Sequence, residues 1–188
     1  MGAIHLQPFP LLITDRLILR RLVPADADGI FALRSNTEVI KYTGIKQYTS
    51  IDEAKAYIGR IDRDLEQNKS IMWSITLAAS KTFIGSICFW NITEDETCAE
   101  IGYDLLPAFH GMGYMQEATK AVIRYGYEGM KVDRIVADLC TDNIKSVKIL
   151  ERNGFRREKV HSDITGKSES VEMAIYSLER AYFTQFAS

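Results

Sequence analysis

Apolar positions along this chain recur at a spacing of two in some stretches and of three and four in others, and the switches between these periods mark out its elements. Residues 16–22 (Arg-Leu-Ile-Leu-Arg-Arg-Leu) alternate well enough for a strand. Val23-Pro24-Ala25-Asp26 then supplies the proline and the acid of a helix start, which predicts a helix over 25–35. Ser50-Ile51-Asp52-Glu53 reads as a capping box opening a second helix, with Ala54, Tyr57, Ile58, Ile61 and Leu65 on one face. Residues 36–49, which carry Tyr42, Gly44 and Tyr48, read as a flexible loop.

Three strand-like runs follow, at 71–78, 82–92 and 98–106, joined by links short enough to imply an antiparallel meander. Beyond them the pattern changes to a helix ending near residue 129, a strand over 134–140, a helix over 143–153 and strands over 156–160 and 170–178. Strands separated by helices favour a local parallel pair. The helix over 143–153 has a clear stop: Gly154 falls just past the cap, where Phe155 can fold back onto Leu150. The expected fold class is therefore mixed α/β (α+β), a single domain over residues 1–188 with a mainly antiparallel sheet, about four helices and an N-terminal extension over 1–13. No internal repeat, low-complexity tract or linker divides it.

The chain has 188 residues, 46% apolar and 26% charged, enough for one domain with a proper core. A net charge of −2 gives no general attraction to nucleic acid or to an anionic membrane, and neither partner is expected. Cys88, Cys98 and Cys140 are odd in number, widely spaced and set in apolar runs, which points to reduced, buried thiols rather than a disulfide framework or a zinc site. The N-terminus lacks a basic segment leading into an apolar one, no run reaches membrane-spanning length, and Leu6 stands where a myristoylation signal requires Ser or Thr. The cytoplasm is the expected location.

The stretch richest in chemical information is Pro107-Ala108-Phe109-His110-Gly111-Met112-Gly113-Tyr114-Met115-Gln116-Glu117-Ala118, a strand end running through two glycines into a helix. Unpaired backbone N–H groups and the positive helix end converge there, and glycine lets an anion come close to the backbone. A Walker A loop fails, because no Lys-Ser or Lys-Thr follows Gly111 at the required place. A dinucleotide fingerprint fails too, since Gln116 stands at its third small position and no βαβ unit opens the chain.

Taken together, Cys98-Ala99-Glu100-Ile101-Gly102-Tyr103, His110 to Ala118, Asn143-Ile144-Lys145-Ser146 and Leu150-Glu151-Arg152-Asn153-Gly154-Phe155 resemble the GNAT superfamily of N-acetyltransferases. The likeness is greatest to the branch containing the ribosomal-protein N-terminal alanine acetyltransferases RimJ and RimL, and it runs from Thr14-Asp15-Arg16 nearly to the last strand. It implies a curved sheet splayed at its central strands, with acetyl-CoA as the donor in the gap. Backbone groups of Tyr103, Asp104 and Leu105 would pair with the pantetheine amides. N–H groups of His110, Gly111, Met112, Gly113, Tyr114 and Met115 would hold the pyrophosphate, and Asn143 would reach the pantetheine arm. The family's loop usually begins with Gln or Arg and ends with a small residue; here His110 and Met115 stand at those places, so cofactor affinity or the helix start is expected to differ.

Acetyl transfer to an amine needs a neutral amine, charge stabilisation at the carbonyl oxygen and a proton for the thiolate. An α-amino group, with a reference pKa of about 7.7 to 8, asks far less of a base than a lysine at about 10.4. The resemblance makes Glu100 the candidate base, directly or through water, whereas Glu117 is accounted for by the helix dipole. Many members use a Tyr at the place of Leu150 to protonate the thiolate. This chain lacks it, and the RimL-like branch has a Ser matching Ser146, one turn earlier. The oxyanion would be held by a backbone N–H near Ile101 to Tyr103, with no metal. Tyr42, Tyr48, Trp73 and Trp90 are candidate groove aromatics, each also explicable as core; His5 and His161 read as surface residues.

The expected activity is direct acetyl transfer from acetyl-CoA to a primary amine, foremost a protein or peptide α-amino group. Polyamine or aminoglycoside acceptors remain open, as does a non-catalytic acetyl-CoA sensor suggested by the missing Tyr and by Met115. The chain would act as a monomer or homodimer.

Overall fold

The computed structural model describes residues 4, 6–163 and 171–183; the expectation for His5 lies outside them. The N-terminal half is built from β1 (Leu12–Ile13), β2 (Leu17–Arg21), α1 (Ala27–Ser35), α2 (Thr37–Ile40), α3 (Ile51–Glu66), β3 (Ile71–Leu77), β4 (Phe83–Trp90) and β5 (Cys98–Leu105). The C-terminal half adds α4 (Tyr114–Tyr125), a π-helical turn at Gly126–Met130, β6 (Arg134–Cys140), α5 (Ile144–Arg152), β7 (Arg156–Asp163), β8 (Val171–Glu179) and α6 (Arg180–Phe183). All eight strands form one sheet in the order β1-β2-β3-β4-β5-β6-β8-β7. Every pairing is antiparallel except β5 with β6, the parallel pair expected where a helix separates two strands.

That pair is short. Cys98, Ala99 and Glu100 match Arg134, Ile135 and Val136, and there the register ends, while β5 stays paired with β4 as far as Leu105. The closed end is tied by the Thr97 carbonyl, which accepts from the N–H groups of Asp133 and Arg134 at 2.8 and 3.0 Å. Beyond Glu100 the two strands part into a fork, and the backbone groups that each turns toward the other have no ladder partner.

The two faces of the sheet carry separate cores. One packs Trp73, Phe89, Ile101, Met115, Val122, Ile135 and Leu150 beneath α4 and α5; the other packs Leu22, Ile30, Leu33, Ala54, Ile58 and Met72 beneath α1 and α3. Trp73 is fully buried, donates its indole N–H to the Pro10 carbonyl at 2.8 Å and meets Phe9, Phe89 and Tyr125 edge-on, so it is core and not groove. Asp26 brackets α1 to the sheet. Its carboxylate accepts two Arg20 N–H bonds at 2.7 and 2.8 Å, the Val23 N–H at 2.9 Å and the Ser74 hydroxyl at 2.9 Å.

Within the segment read as a loop, α2 forms because Asn36 Oδ1 accepts from the N–H groups of Glu38 and Val39 at 2.9 and 3.3 Å. At the start of α3, Glu53 accepts from the Thr49 and Ser50 N–H groups at 2.7 and 3.0 Å, one half of the expected capping box, and Ala54, Ile58, Ile61 and Leu65 are buried as the periodicity requires. The described part of the N-terminal extension packs back onto the domain, with Ile4 and Leu6 buried in the main core. No described helix is long and apolar enough to cross a membrane.

Candidate active site

The turn between β5 and α4 is shaped to receive an anion. Gly111 and Gly113 adopt φ of +75° and +79°, a region in which a side chain is strained, and nothing lies within 4 Å of where a Cβ on Gly111 would be. Gly113 is the N-cap of α4 and offers no side-chain cap. None of the N–H groups of residues 111–115 has a hydrogen-bond acceptor among the described residues, so a row of donors and the positive helix end point outward together.

His110 departs from the expectation. Its own N–H donates to the Pro107 carbonyl at 3.1 Å, and its ring Nε2 lies 2.9 Å from the Leu105 carbonyl. A carbonyl only accepts, so Nε2 carries the hydrogen and Nδ1 is the bare nitrogen, which accepts from Lys145 Nζ at 3.3 Å. His110 therefore braces the turn, and the Leu105 carbonyl is already engaged. Met115 is buried in the main core, so its side chain faces away from the anion and its bulk leaves the cradle clear.

Arg16 pins the turn from beneath. It donates from Nη1 to the Met112 carbonyl at 2.9 Å, meets Glu117 through Nε at 2.6 Å, and lies 4.6 Å from the centre of the Tyr114 ring. Burial raises the Glu117 carboxyl, but the Thr14 hydroxyl, the Arg16 N–H and the Arg16 guanidinium outweigh it and hold the group below the usual carboxylate range. Glu117 is thus a structural anion, as the helix-dipole reading requires.

Glu100 occupies the last paired position before the fork opens. Its Oε2 accepts from Asn91 Nδ2 at 2.8 Å. Burial pushes its carboxyl above the usual range, the Asn91 hydrogen bond opposes this, and the charge of Asp138 adds to it. A half-buried carboxylate with raised proton affinity, at the mouth of a gap with unpaired backbone on both sides, has the properties of a general base.

The far wall comes from α5. Asn143 caps this helix through Oδ1, which accepts from the Ser146 N–H at 3.3 Å, so that oxygen is occupied. The Tyr103 hydroxyl crosses from β5 and donates to the Ser146 carbonyl at 3.3 Å. Burial drives the Tyr103 phenol well above its ordinary range.

Successive β5 residues alternate faces, which sets Glu100, Gly102 and Asp104 on the side of α1 and α3. There Trp90 pairs with Glu100 in register and is 45% exposed, and its indole nitrogen would lie 3.6 Å from a Cβ on Gly102. Asp104 accepts the Ser86 hydroxyl at 2.6 Å and lies 3.4 Å from Arg34, whose guanidinium donates to the Tyr57 hydroxyl at 3.1 Å. Cys88 lies nearby, its thiol pushed up to about 12 by burial and by Asp104. It stays protonated at neutral pH and has no thiolate with which to carry an acyl group. Tyr48 packs on the second core and donates its backbone N–H to the Arg34 carbonyl at 3.1 Å, whereas Tyr42 lies outward beneath Lys41, 4.8 Å from ring centre to Nζ.

Tyr103 and Ser146 thus meet across the fork, Glu100 stands where it begins to open on the other face of β5, and the donors of residues 111–115 follow the end of that strand. Asn91 and Asp138 also belong to this region and carried no spacing signal, whereas Arg16 and Lys145 stood inside the motifs but were given no role. His161, read as a surface residue, has a partner: its Nε2 lies 3.0 and 2.9 Å from the two Asp138 oxygens. Among the described residues, no group of three or more His, Cys, Asp or Glu could hold a metal ion.

A family model described as an acetyltransferase (GNAT) domain matches residues 16–156. The chain is 37% identical over 152 residues to the uncharacterized N-acetyltransferase YoaA of Bacillus subtilis, covering 81% of this chain and 86% of that one. It is 27% identical over 161 residues to the [ribosomal protein uS5]-alanine N-acetyltransferase of Escherichia coli, covering 81% of each. Among solved structures, spermidine N-acetyltransferase from Vibrio cholerae in complex with CoA and spermine superposes with a TM-score of 0.81 at 19% identity, over 91% of this chain and 99% of that one, a likeness of fold.

Proposed function

This chain belongs to the GNAT family and is an acetyl-CoA-dependent N-acetyltransferase, and on that premise we propose that its acceptor is the α-amino group of a protein or peptide. The position and environment of Glu100 carry the reading. A carboxylate raised by burial and by Asp138 can draw the proton from an amine that titrates near neutrality, whereas an alkylamine of pKa about 10.4 asks several units more of it. The exposure of Trp90 beside Glu100 leaves the acceptor side open enough for the end of a polypeptide.

The unpaired backbone of the fork and the outward N–H row fit the donor's amides and pyrophosphate. The Tyr103, Asp104 and Leu105 strand, less the carbonyl that His110 takes, would line the pantetheine; Asn143 retains its amide donor for the same arm. As the amine nitrogen bonds to the acetyl carbon, a backbone N–H near Ile101 to Tyr103 supports the carbonyl oxygen, Glu100 accepts the amine proton, and the C–S bond breaks. The Ser146 hydroxyl hydrogen-bonds the departing thiolate. With Cys88 protonated, transfer is direct and needs both substrates bound at once.

A second acceptor class, a polyamine, is favoured by Glu100 and Asp138 standing together near the exposed Trp90. Mass spectrometry after mixing the protein, acetyl-CoA and a pool of peptides with different N-termini, spermidine and an aminoglycoside separates the two. Acetylation of peptide α-amino groups is expected; spermidine acetylated while every peptide stays unmodified would overturn the proposal.

A further inference from the structure

Beyond the fork mouth, a pair of side chains stands behind Glu100 that the transfer scheme leaves unused. Partners in a parallel ladder point to the same face, and a residue two further along keeps that face. Glu100 pairs with Val136, so Asp138 projects on the side of Glu100, at the first position where β6 has left β5. Next across the sheet, Asp138 pairs with Ile175 of β8, and Met173, two residues along that strand and so on the same face, pairs with His161 of β7. His161 Nε2 reaches both Asp138 oxygens, at 3.0 and 2.9 Å; a carboxylate accepts, so Nε2 carries the hydrogen. Three strands far apart in sequence thus line up carboxylate, carboxylate and imidazole on one face.

We propose that Asp138 and His161 are positioning residues for the acetyl transfer, Asp138 setting how tightly Glu100 holds a proton and His161 fixing the Asp138 carboxylate through a hydrogen bond to its two oxygens. The proposal rests on Glu100 as the base. Two contacts give Asp138 its hold on Glu100: its backbone N–H donates to the Glu100 carboxylate and favours the charged form, and its side-chain charge opposes ionisation there. The first steadies the carboxylate at the fork, and the second makes it a stronger base.

Other charged groups also lie on this face. Arg134, next to Cys98 at the closed end, is paired with Glu158 and with Glu179. Lys159 shares the Ile175 row with Asp138, Cys140 shares the Met173 row with His161, and Asn91 on the β4 side is neutral.

The sign follows from charge. Asp138→Asn removes a negative neighbour, so Glu100 loses its proton more easily and its titration midpoint falls. His161→Gln removes the Nε2–H donor that engages both Asp138 oxygens, so the Asp138 charge is less compensated and the Glu100 midpoint rises. In a partly wet cleft each shift is expected to be about half to one pH unit.

The test is a pH titration of the full chain labelled with carbon-13 at the glutamate carboxyls, the Glu100 signal being assigned by its loss in Glu100→Gln. Thermal melts and CoA binding confirm that each variant is folded. In parallel, the pH dependence of CoA release is followed with an alanine-initiated peptide as acceptor. Opposite shifts in Asp138→Asn and His161→Gln, with the acid limb of the rate profile following them, are expected. On the acid side Asp138→Asn would then retain about three- to tenfold more of its own maximal rate than the parent does. A Glu100 midpoint that stays put in Asp138→Asn, or moves the same way in both variants, overturns the proposal. Midpoints that shift as expected beneath an unmoved rate limb uphold the coupling and instead remove Glu100 as the base.

Discussion

Tyr103 and Ser146 meet across the fork, and their chemistry assigns them different work. A phenol driven well above its ordinary range by burial is a poor proton donor to a thiolate of pKa about 8.5, and the Tyr103 hydroxyl already donates to the Ser146 carbonyl. Tyr103 is a strut between β5 and the first turn of α5, and on the proposed scheme the Ser146 hydroxyl is the group left to meet the leaving thiolate. Replacing Ser146 with Ala is expected to lower kcat about tenfold, the scale of one hydrogen bond to a charged group, without abolishing turnover. Tyr103→Phe keeps the ring and loses only a 3.3 Å bond, so kcat should change by less than about threefold. Both rates are read from CoA release at saturating acetyl-CoA; a larger loss in Tyr103→Phe than in Ser146→Ala would reverse the two roles.

The turn into α4 is where backbone conformation rather than side-chain identity carries the function. Gly111 and Gly113 share a positive φ, but a Cβ on Gly113 would also come within 3.4 Å of Arg16 Nη2, the guanidinium that holds Met112 and Glu117. Gly111→Ala and Gly113→Ala each cost the backbone strain, about 1 kcal/mol, since a Cβ on Gly113 reaches Arg16 only at van der Waals contact. CoA affinity measured by calorimetry is expected to fall about threefold in each. A loss about tenfold greater in Gly113→Ala than in Gly111→Ala would show that Arg16 yields to the added methyl and shapes the cradle. This turn was legible in the sequence because its determinants are consecutive residues. So was the end of α5, where Gly154 takes φ +85°, the Phe155 N–H donates to the Leu150 carbonyl at 3.1 Å and the Gly154 N–H to that of Glu151 at 3.0 Å. The four-residue α2 escaped because it is too short to show a periodic stripe and is announced only by Asn36. His110 was placed on the phosphate because its type and position suited that role; its actual partners, Leu105 and Lys145, come from the folding of two other elements against it.

At the scale of the whole molecule, the sheet consists of two halves joined by three residue pairs, and the gap where that seam opens is the place proposed for the donor. The pattern of strands and helices was enough to anticipate a parallel pair here, but not that it stops at Glu100. Pairing length depends on how the two half-sheets twist away from one another, which no local run of residues encodes. The alignment of Glu100, Asp138 and His161 was hidden for the same reason, since it is set by register across β5, β6, β8 and β7. A ligand seated in such a seam replaces missing ladder partners on both halves, so its binding should stabilise the junction more than the flanks. At one hundred times its dissociation constant, CoA is expected to stabilise the fold by about 2.7 kcal/mol, seen as a raised melting temperature. Hydrogen exchange should slow at residues 101–105 and 137–140 and at the N–H row of 111–115, with little change in β2 and β3, which are already paired along their length. Slowing spread evenly over all strands, or confined to the 111–115 turn, would mean that the ligand does not bridge the fork, and the cofactor's path through the seam would have to be abandoned.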